Sequence, residues 1–177
     1  MTYPAELAAA IDAQCRRPII ELIPHRPPMA LLDEACGMEG DFFKAKVRIR
    51  PGIPFFAERG EPDGLPSGVP AWVGLEYMAQ TVAAYSGALG LAKGGTIKPG
   101  MLLGTREYAA SMPVFAEGRE LEVLVRIDIF QERGVSSMEC RIRSSGDGGA
   151  EAAVELARAQ ITVIEVPDIR TLLKERS

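Results

Sequence analysis

The chain has 177 residues, of which 47% are hydrophobic and 25% charged, and this is the composition of one globular domain that can bury a continuous core. Its 20 Lys and Arg residues face 24 Asp and Glu residues, so the net charge is −4. Because no basic run is present, we expect neither nucleic acid nor an anionic membrane surface as a partner.

The sequence also argues against a metal site, a disulfide framework and a membrane span. The single histidine and the three scattered cysteines (Cys15, Cys36 and Cys140) have no zinc-ligand spacing and no paired spacing. The first residues carry no basic segment of a secretory signal, and the longest uncharged stretch, 77–92, has 16 residues, fewer than the roughly 20 of a membrane span. We therefore predict no metal site and no membrane insertion, and expect a cytoplasmic protein.

The first half of the chain alternates short elements with proline-rich loops. A helix is predicted over 4–17, ended by Pro18, and a strand over 29–36 follows a proline-rich loop. Strict alternation of apolar and basic residues over 43–50 predicts a half-buried strand. The next loop, 51–70, carries five prolines and four glycines, and loops of this length are usually functional.

One long helix and a β-rich second half complete the pattern. Residues 71–89 are good helix formers with apolar side chains all round, so this helix should be wrapped by the rest of the protein. Alternating strands are predicted over 121–129 and 138–143, and a turn at 132–134 and a loop at 144–149 precede a strand reaching about residue 166. This is an α+β domain over 1–177, with a helical extension (1–18), a core (19–166) and a tail (167–177).

Glu76 is the candidate for chemistry, because it lies near the start of the apolar helix. A carboxylate there must be paired, protonated or directed into a cavity. Gln80 is four residues on and can orient it, while Ala83 and Gly87 leave room for a slender apolar ligand. A protonated Glu in an apolar site suits general-acid catalysis. The alternative, that Glu76 pairs with Arg or Lys residues of facing strands, stays open.

Two further features point to the same region. Free backbone N–H groups at Ala71 and Trp72, at the start of the helix, would favour a carbonyl oxygen that gains negative charge. His25, in a stiff Pro24-His25-Arg26-Pro27-Pro28 loop, is the one side chain suited by its ordinary chemistry to proton transfer near pH 7. A lone surface histidine is more often structural than catalytic.

Three ordered motifs carry a family resemblance. The segments 23–33, with its Ile-Pro-His-Arg start, 69–80, with Val-Pro-Ala-Trp-Val-Gly-Leu-Glu-Tyr-Met-Ala-Gln, and 103–121 resemble corresponding segments of bacterial 3-hydroxyacyl-ACP dehydratases. The match runs from about residue 20 to 166, and the form of the helix motif is similar to the ApeP-like branch, linked to aryl polyene lipid assembly.

The resemblance implies a hotdog fold, a long helix wrapped by an antiparallel sheet, that dimerises through its sheets. It also implies an acyl thioester carried on the phosphopantetheine arm of an acyl carrier protein, with the acyl chain in a tunnel beside the helix. In that family a histidine removes the proton next to the thioester carbonyl and the helix Glu, here Glu76, protonates the leaving hydroxyl. No metal or redox cofactor is needed.

The chain departs from the family at one place. The family's catalytic histidine comes from a His-Phe-Pro-Gly loop before the helix, and the corresponding residues 55–67 contain no histidine. Either His25 is the base of a self-sufficient dehydratase, or the subunit is an accessory partner of an active one in a heterodimer. A third hypothesis is an acyl thioesterase, in which Glu76 would activate water.

Three aromatic residues and four arginines each have two possible roles. Phe55 and Phe56 line the acyl tunnel or fill the core, and for Trp72 we favour the core. Acyl carrier proteins are acidic, so a basic docking patch is expected. Its candidates are Arg26 and Arg106, with Arg16 and Arg17 as further candidates, although each of them equally fits a solvated surface charge.

Overall fold

The computed structural model describes residues 4–58, 64–130, 134–145 and 153–166, and of residues 128–130 it describes the backbone alone. Within these ranges there are two α-helices, α1 (Ala5–Gln14) and α2 (Gly74–Ala92). Single 3-10 turns at Ile19–Glu21 and Ala71–Val73 precede the Pro-His-Arg loop and α2. The strands are β1 (Glu34–Glu39), β2 (Phe42–Arg48), β3 (Gly68–Pro70), β4 (Gly100–Ala110), β5 (Val114–Ala116), β6 (Glu120–Phe130), β7 (Val135–Ser144) and β8 (Glu155–Glu165).

Six of these strands form one antiparallel sheet in the order β1-β2-β6-β7-β8-β4, and β3 pairs with β5 beside the start of α2. The inner face of the sheet packs on α2, whose residues are buried on most sides. On β2, Phe43, Ala45 and Val47 are buried while the residues between them are not, as the alternation predicts. The α+β class and the wrapped helix are confirmed.

The N-terminal helix is part of the core rather than an appendage. Ile11 of α1 is completely buried, and the Asp12 carboxylate accepts a 2.7 Å hydrogen bond from the Met38 N–H on β1. Gly37 has a φ of +90°, and a Cβ there would lie 2.3 Å from Asp12 Oδ1. A glycine at residue 37 therefore permits both the backbone turn and the approach of α1.

Some predicted boundaries differ from the structure. The strand expected over 29–36 begins at Glu34, because the backbone of residues 29–31 is bonded to a helix side chain instead of to a strand. The tail 167–177 lies outside the described residues, as do most of the turn at 132–134 and most of the loop at 144–149. Within the described ranges, no helix has the length and apolar character to cross a membrane.

Candidate active site

A cavity of about 400 Å³ lies between α2 and the sheet. It follows the helix from Glu76 in the first turn to Lys93 beyond the last, a rise of about 25 Å at 1.5 Å per residue. Between these ends most of the lining is apolar, with Ala79, Val82, Ala83, Leu89, Met138 and Val163 among it. The shape and lining suit an extended acyl chain.

His25 and Glu76 both lie in the wall of this cavity. The Nε2 atom of His25 is 3.8 Å from the Oε1 atom of Glu76, and the two side chains are 33% and 38% exposed. The other ring nitrogen, Nδ1, is buried and has no hydrogen-bond partner among the described residues. The loop before β1 and the first turn of α2 thus bring an imidazole ring and a carboxyl group to one place.

Gln80 connects that loop to the helix. Its side chain is completely buried, and its Nε2 donates to Glu76 Oε1 at 2.7 Å and to the Met29 carbonyl at 2.8 Å. Its Oε1 accepts the Leu31 N–H at 2.9 Å. The amide group therefore uses three of its four hydrogen-bonding positions, and these bonds fix both the Glu76 carboxylate and the loop.

The start of the helix differs from the sequence prediction. The N–H of Ala71 donates to the Pro113 carbonyl at 2.9 Å, so it is not free to bind a substrate oxygen, and the assignment of Ala71 as an oxyanion donor is wrong for this structure. The Ala71 carbonyl accepts a hydrogen bond from the Tyr108 hydroxyl. Burial raises the pKa of Tyr108 to about 12, so this hydroxyl stays protonated. The Trp72 N–H remains a prediction.

Of the two small residues expected beside the acyl chain, only one lines the cavity. Ala83 does. Gly87 is absent from the lining, since its Cα faces the Leu22 backbone, where a Cβ would lie 2.0 Å from the Leu22 carbonyl oxygen. The expectation that Gly87 leaves room for a ligand is therefore wrong. The absence of a side chain at Gly87 allows the 3-10 turn before His25 to pack against α2.

The aromatic residues near the helix start lie outside the cavity lining. Trp72 is 63% exposed and Phe55 is 41% exposed, and their rings meet edge to face with centroids 5.8 Å apart. The prediction that Trp72 fills the core is therefore wrong. Phe56 is partly buried and packs against the core. None of Phe55, Phe56 and Trp72 lines the cavity described above, so their predicted place in a tunnel is corrected for this chain.

The candidate docking arginines are exposed. Arg106 is exposed on β4, while Arg16 and Arg17 are exposed after α1, where Arg17 pairs with Glu21 at 3.2 Å. Arg26 is exposed too, but its Nη1 donates to backbone carbonyls of its own loop. None of the four side chains belongs to the lining of the cavity.

The cavity contains polar residues that the sequence analysis missed. Ser86 lines it from α2 and the buried Ser136 from β7, and Lys93 and Lys98 lie at the far end. On α2 the lining residues 76, 79, 83, 86 and 90 recur every three or four positions, and this helical spacing from Glu76 could have identified them. The β-strand contributors had no such signal.

The three cysteines are poorly suited to thiolate chemistry. Burial raises the pKa of Cys15 to about 12 and that of Cys36 to about 11, and Cys140 is completely buried, so none of the three is a ready thiolate nucleophile. No group of three or more metal-ligating side chains occurs among the residues that the structure describes.

A long helix wrapped by an antiparallel sheet, with a glutamate and a histidine at one end of a largely apolar cavity, defines a hotdog-fold protein. Comparison with solved structures supports the fold. The dehydratase heterocomplex ApeI:P from Xenorhabdus doucetiae superposes with a TM-score of 0.74 and 23% identity, covering 91% of this chain and 98% of that one.

Sequence comparisons then give the family. The chain matches the ApeP-like family, described as ApeP dehydratase, over residues 17–174. It is also 30% identical, over 146 residues, to the 3-hydroxyacyl-[acyl-carrier-protein] dehydratases FabZ of Sodalis glossinidius and Pectobacterium atrosepticum, covering 79% of this chain and 89% of each relative. The chain belongs to the ApeP-like dehydratase family.

Proposed function

We propose that this protein removes water from a 3-hydroxyacyl thioester on acyl carrier protein and leaves a 2-enoyl thioester. The observation that carries the proposal is the pair of His25 and Glu76, 3.8 Å apart in the wall of a cavity shaped for an acyl chain. The relatives named as 3-hydroxyacyl-ACP dehydratases support the substrate class. Fatty-acid or aryl-polyene-type lipid synthesis is the proposed context.

Each side chain has a role in the proposed step. His25 takes the proton from the carbon next to the thioester carbonyl, and the electrons of that C–H bond form the new C=C bond. The C–O bond to the adjacent carbon breaks, and Glu76 gives its proton to the departing hydroxyl, which leaves as water. Afterwards His25 holds a proton and Glu76 is ionised. Proton transfer across the short gap between them restores the starting state.

A second candidate is an accessory subunit that pairs with an active dehydratase. The loop that replaces the family's histidine loop supplies no histidine, and β4 lies at the edge of the sheet with Met101, Leu102 and Leu103 exposed. Exposed apolar edge strands pair readily with another chain. The occupant that we propose for this edge is a second hotdog subunit, either another copy or a related dehydratase.

Mass spectrometry of a 3-hydroxyacyl carrier protein, incubated with the purified protein alone, tests the proposal. Loss of one water from the carrier-bound chain supports a self-sufficient dehydratase, provided that Glu76→Gln and His25→Ala both abolish it. Activity that arises only after a related dehydratase subunit is added supports the accessory role. Release of a free acid would instead establish a thioesterase.

A further inference from the structure

The loop that carries His25 is tied together by one guanidinium group. The Nη1 atom of Arg26 donates to the carbonyl oxygens of Ile20 at 3.2 Å, Ile23 at 3.0 Å and His25 at 2.8 Å. The shortest of the three bonds goes to the backbone of the histidine itself. These three bonds connect the 3-10 turn to the Pro-His-Arg segment.

The other side of this turn rests directly on α2. Leu22 and Ile23 are completely buried, and the Leu22 carbonyl lies where a side chain of Gly87 would be. After the loop, Gln80 holds the backbone at Met29 and Leu31. The backbone is thus fixed before and after His25, and Arg26 provides the bond nearest to the histidine.

The imidazole ring of His25 depends on this support because it lacks the usual one. A catalytic histidine is commonly oriented by a hydrogen bond from its second ring nitrogen to a carbonyl or carboxylate. In the described part of the chain His25 Nδ1 has no such partner. The backbone conformation of the loop, with the 3.8 Å approach to Glu76, then helps to set the direction of Nε2.

We infer that Arg26 is a positioning residue for His25, through its bonds to the loop carbonyls, and not a docking residue for the carrier protein. This inference rests on the proposed function for its effect on turnover. Lysine keeps the charge of Arg26, but its ammonium nitrogen lies one bond closer to Cα than Nη1 does, so its donors cannot occupy the same place. A docking role requires only the charge, whereas the positioning role requires donors at the place of Nη1, so Arg26→Lys separates the two roles.

The test combines NMR with kinetics. Because the chain has a single histidine, ring-labelled histidine gives one set of imidazole signals that reports the tautomer and surroundings of His25. These signals are compared in the wild type, Arg26→Lys, Arg26→Ala and the control Arg17→Ala, which removes an exposed arginine bonded to Gln14 and Glu21. Steady-state kinetics on a 3-hydroxyacyl carrier protein are measured with the same four proteins.

Both Arg26 variants are expected to shift the His25 signals and to lower kcat about tenfold or more, with KM for the carrier within about twofold of wild type. Arg17→Ala should change neither. Unchanged His25 signals in both Arg26 variants would overturn the inference, as would a rise in KM that lysine reverses. If the wild type is inactive alone, the proposed function fails while the NMR comparison still decides the role of Arg26.

Discussion

The Nε2 atom of Gln80 lies 2.7 Å from Oε1 of Glu76 and 2.8 Å from the carbonyl oxygen of Met29. One buried amide group therefore holds both the proposed general acid and the backbone that follows His25. The bonded carboxylate oxygen is also the one that approaches His25 Nε2. Gln80 thereby fixes the acid relative to the base without contacting an acyl chain in the cavity, whose lining does not include it.

Replacing Gln80 by leucine is expected to reduce both stability and turnover. The Leu31 N–H and the Met29 carbonyl lose their buried partner, and unsatisfied buried groups cost about 1–3 kcal/mol each. Denaturant unfolding should show a loss of roughly 2–6 kcal/mol. The matched control is Thr81→Val, which removes one hydroxyl bond within the same buried helix. Equal effects of the two substitutions would argue against a special role for Gln80.

Replacing Glu76 by glutamine should abolish most dehydration while leaving the fold intact. Glutamine has nearly the same shape, but it cannot donate a proton to the leaving hydroxyl, and positioned general acids contribute about 10²–10⁴-fold. The rate of enoyl formation is followed by absorbance, and the fold by thermal unfolding. Glu107→Gln, at an exposed glutamate on β4, is the control. A variant with wild-type turnover would exclude Glu76 as the acid.

The sequence predicted those features that depend on local patterns. Alternation identified β2, β6 and β7, and the apolar helix with an embedded carboxylate led to Glu76 and Gln80. By contrast, β4 has an almost wholly exposed surface, so it shows no hydrophobic alternation and was indicated only by the family resemblance. An edge strand is packed on few sides, and its residues are under little constraint from burial.

The errors at the site arise from long-range contacts. Whether the Ala71 N–H is free depends on Pro113, which is far away in the chain. Gly87 was predicted to leave space for a ligand, but the Leu22 backbone occupies that space. Trp72 was expected in the core, but its position before the first turn of α2 leaves it exposed. Residue type alone cannot distinguish a ligand from a backbone neighbour.

A methyl group added at Gly87 should destabilise the protein and disturb the site together. In a helix, alanine is favoured over glycine by about 1 kcal/mol, but here its Cβ would lie 2.0 Å from the Leu22 carbonyl oxygen. Backbone must move to relieve this contact, and overpacking costs typically 1–3 kcal/mol. We expect a net loss of stability by denaturant unfolding and a shift of the single histidine's NMR signals.

The control for that substitution is Gly104→Ala on β4, where an added Cβ meets no atom within 4 Å and the backbone is not in the left-handed region. It should leave the histidine signals unchanged. A Gly87→Ala protein as stable as wild type, with unchanged histidine signals, would contradict the inference that the turn before His25 packs against the backbone of Gly87.

The outer face of the sheet should make stability depend on pH through Glu139. Burial acts to raise the pKa of Glu139, but hydrogen bonds from Arg141 and Arg126 outweigh it and hold the pKa below the ordinary value of 4.5. Both arginines also lie over the Phe42 ring, with centroid distances of 5.3 Å and 5.0 Å. Because the folded protein then binds this proton more weakly than the unfolded chain, the stabilisation is present above pH 4.5 and is lost as the pH falls through the folded value.

Glu139→Gln removes this titration. We therefore expect its melting temperature to lie below that of the wild type at pH 7. The difference should shrink as the pH falls below 4.5, where Glu139 of the unfolded wild type takes up a proton, and towards the lower folded pKa, where the folded protein does so too. Thermal unfolding of both proteins from pH 7 to pH 3 gives the comparison, with Glu107→Gln as the exposed control. A constant difference between wild type and Glu139→Gln across that range would show that the effect is one of packing, since a lost ion pair must disappear when the carboxylate takes up its proton.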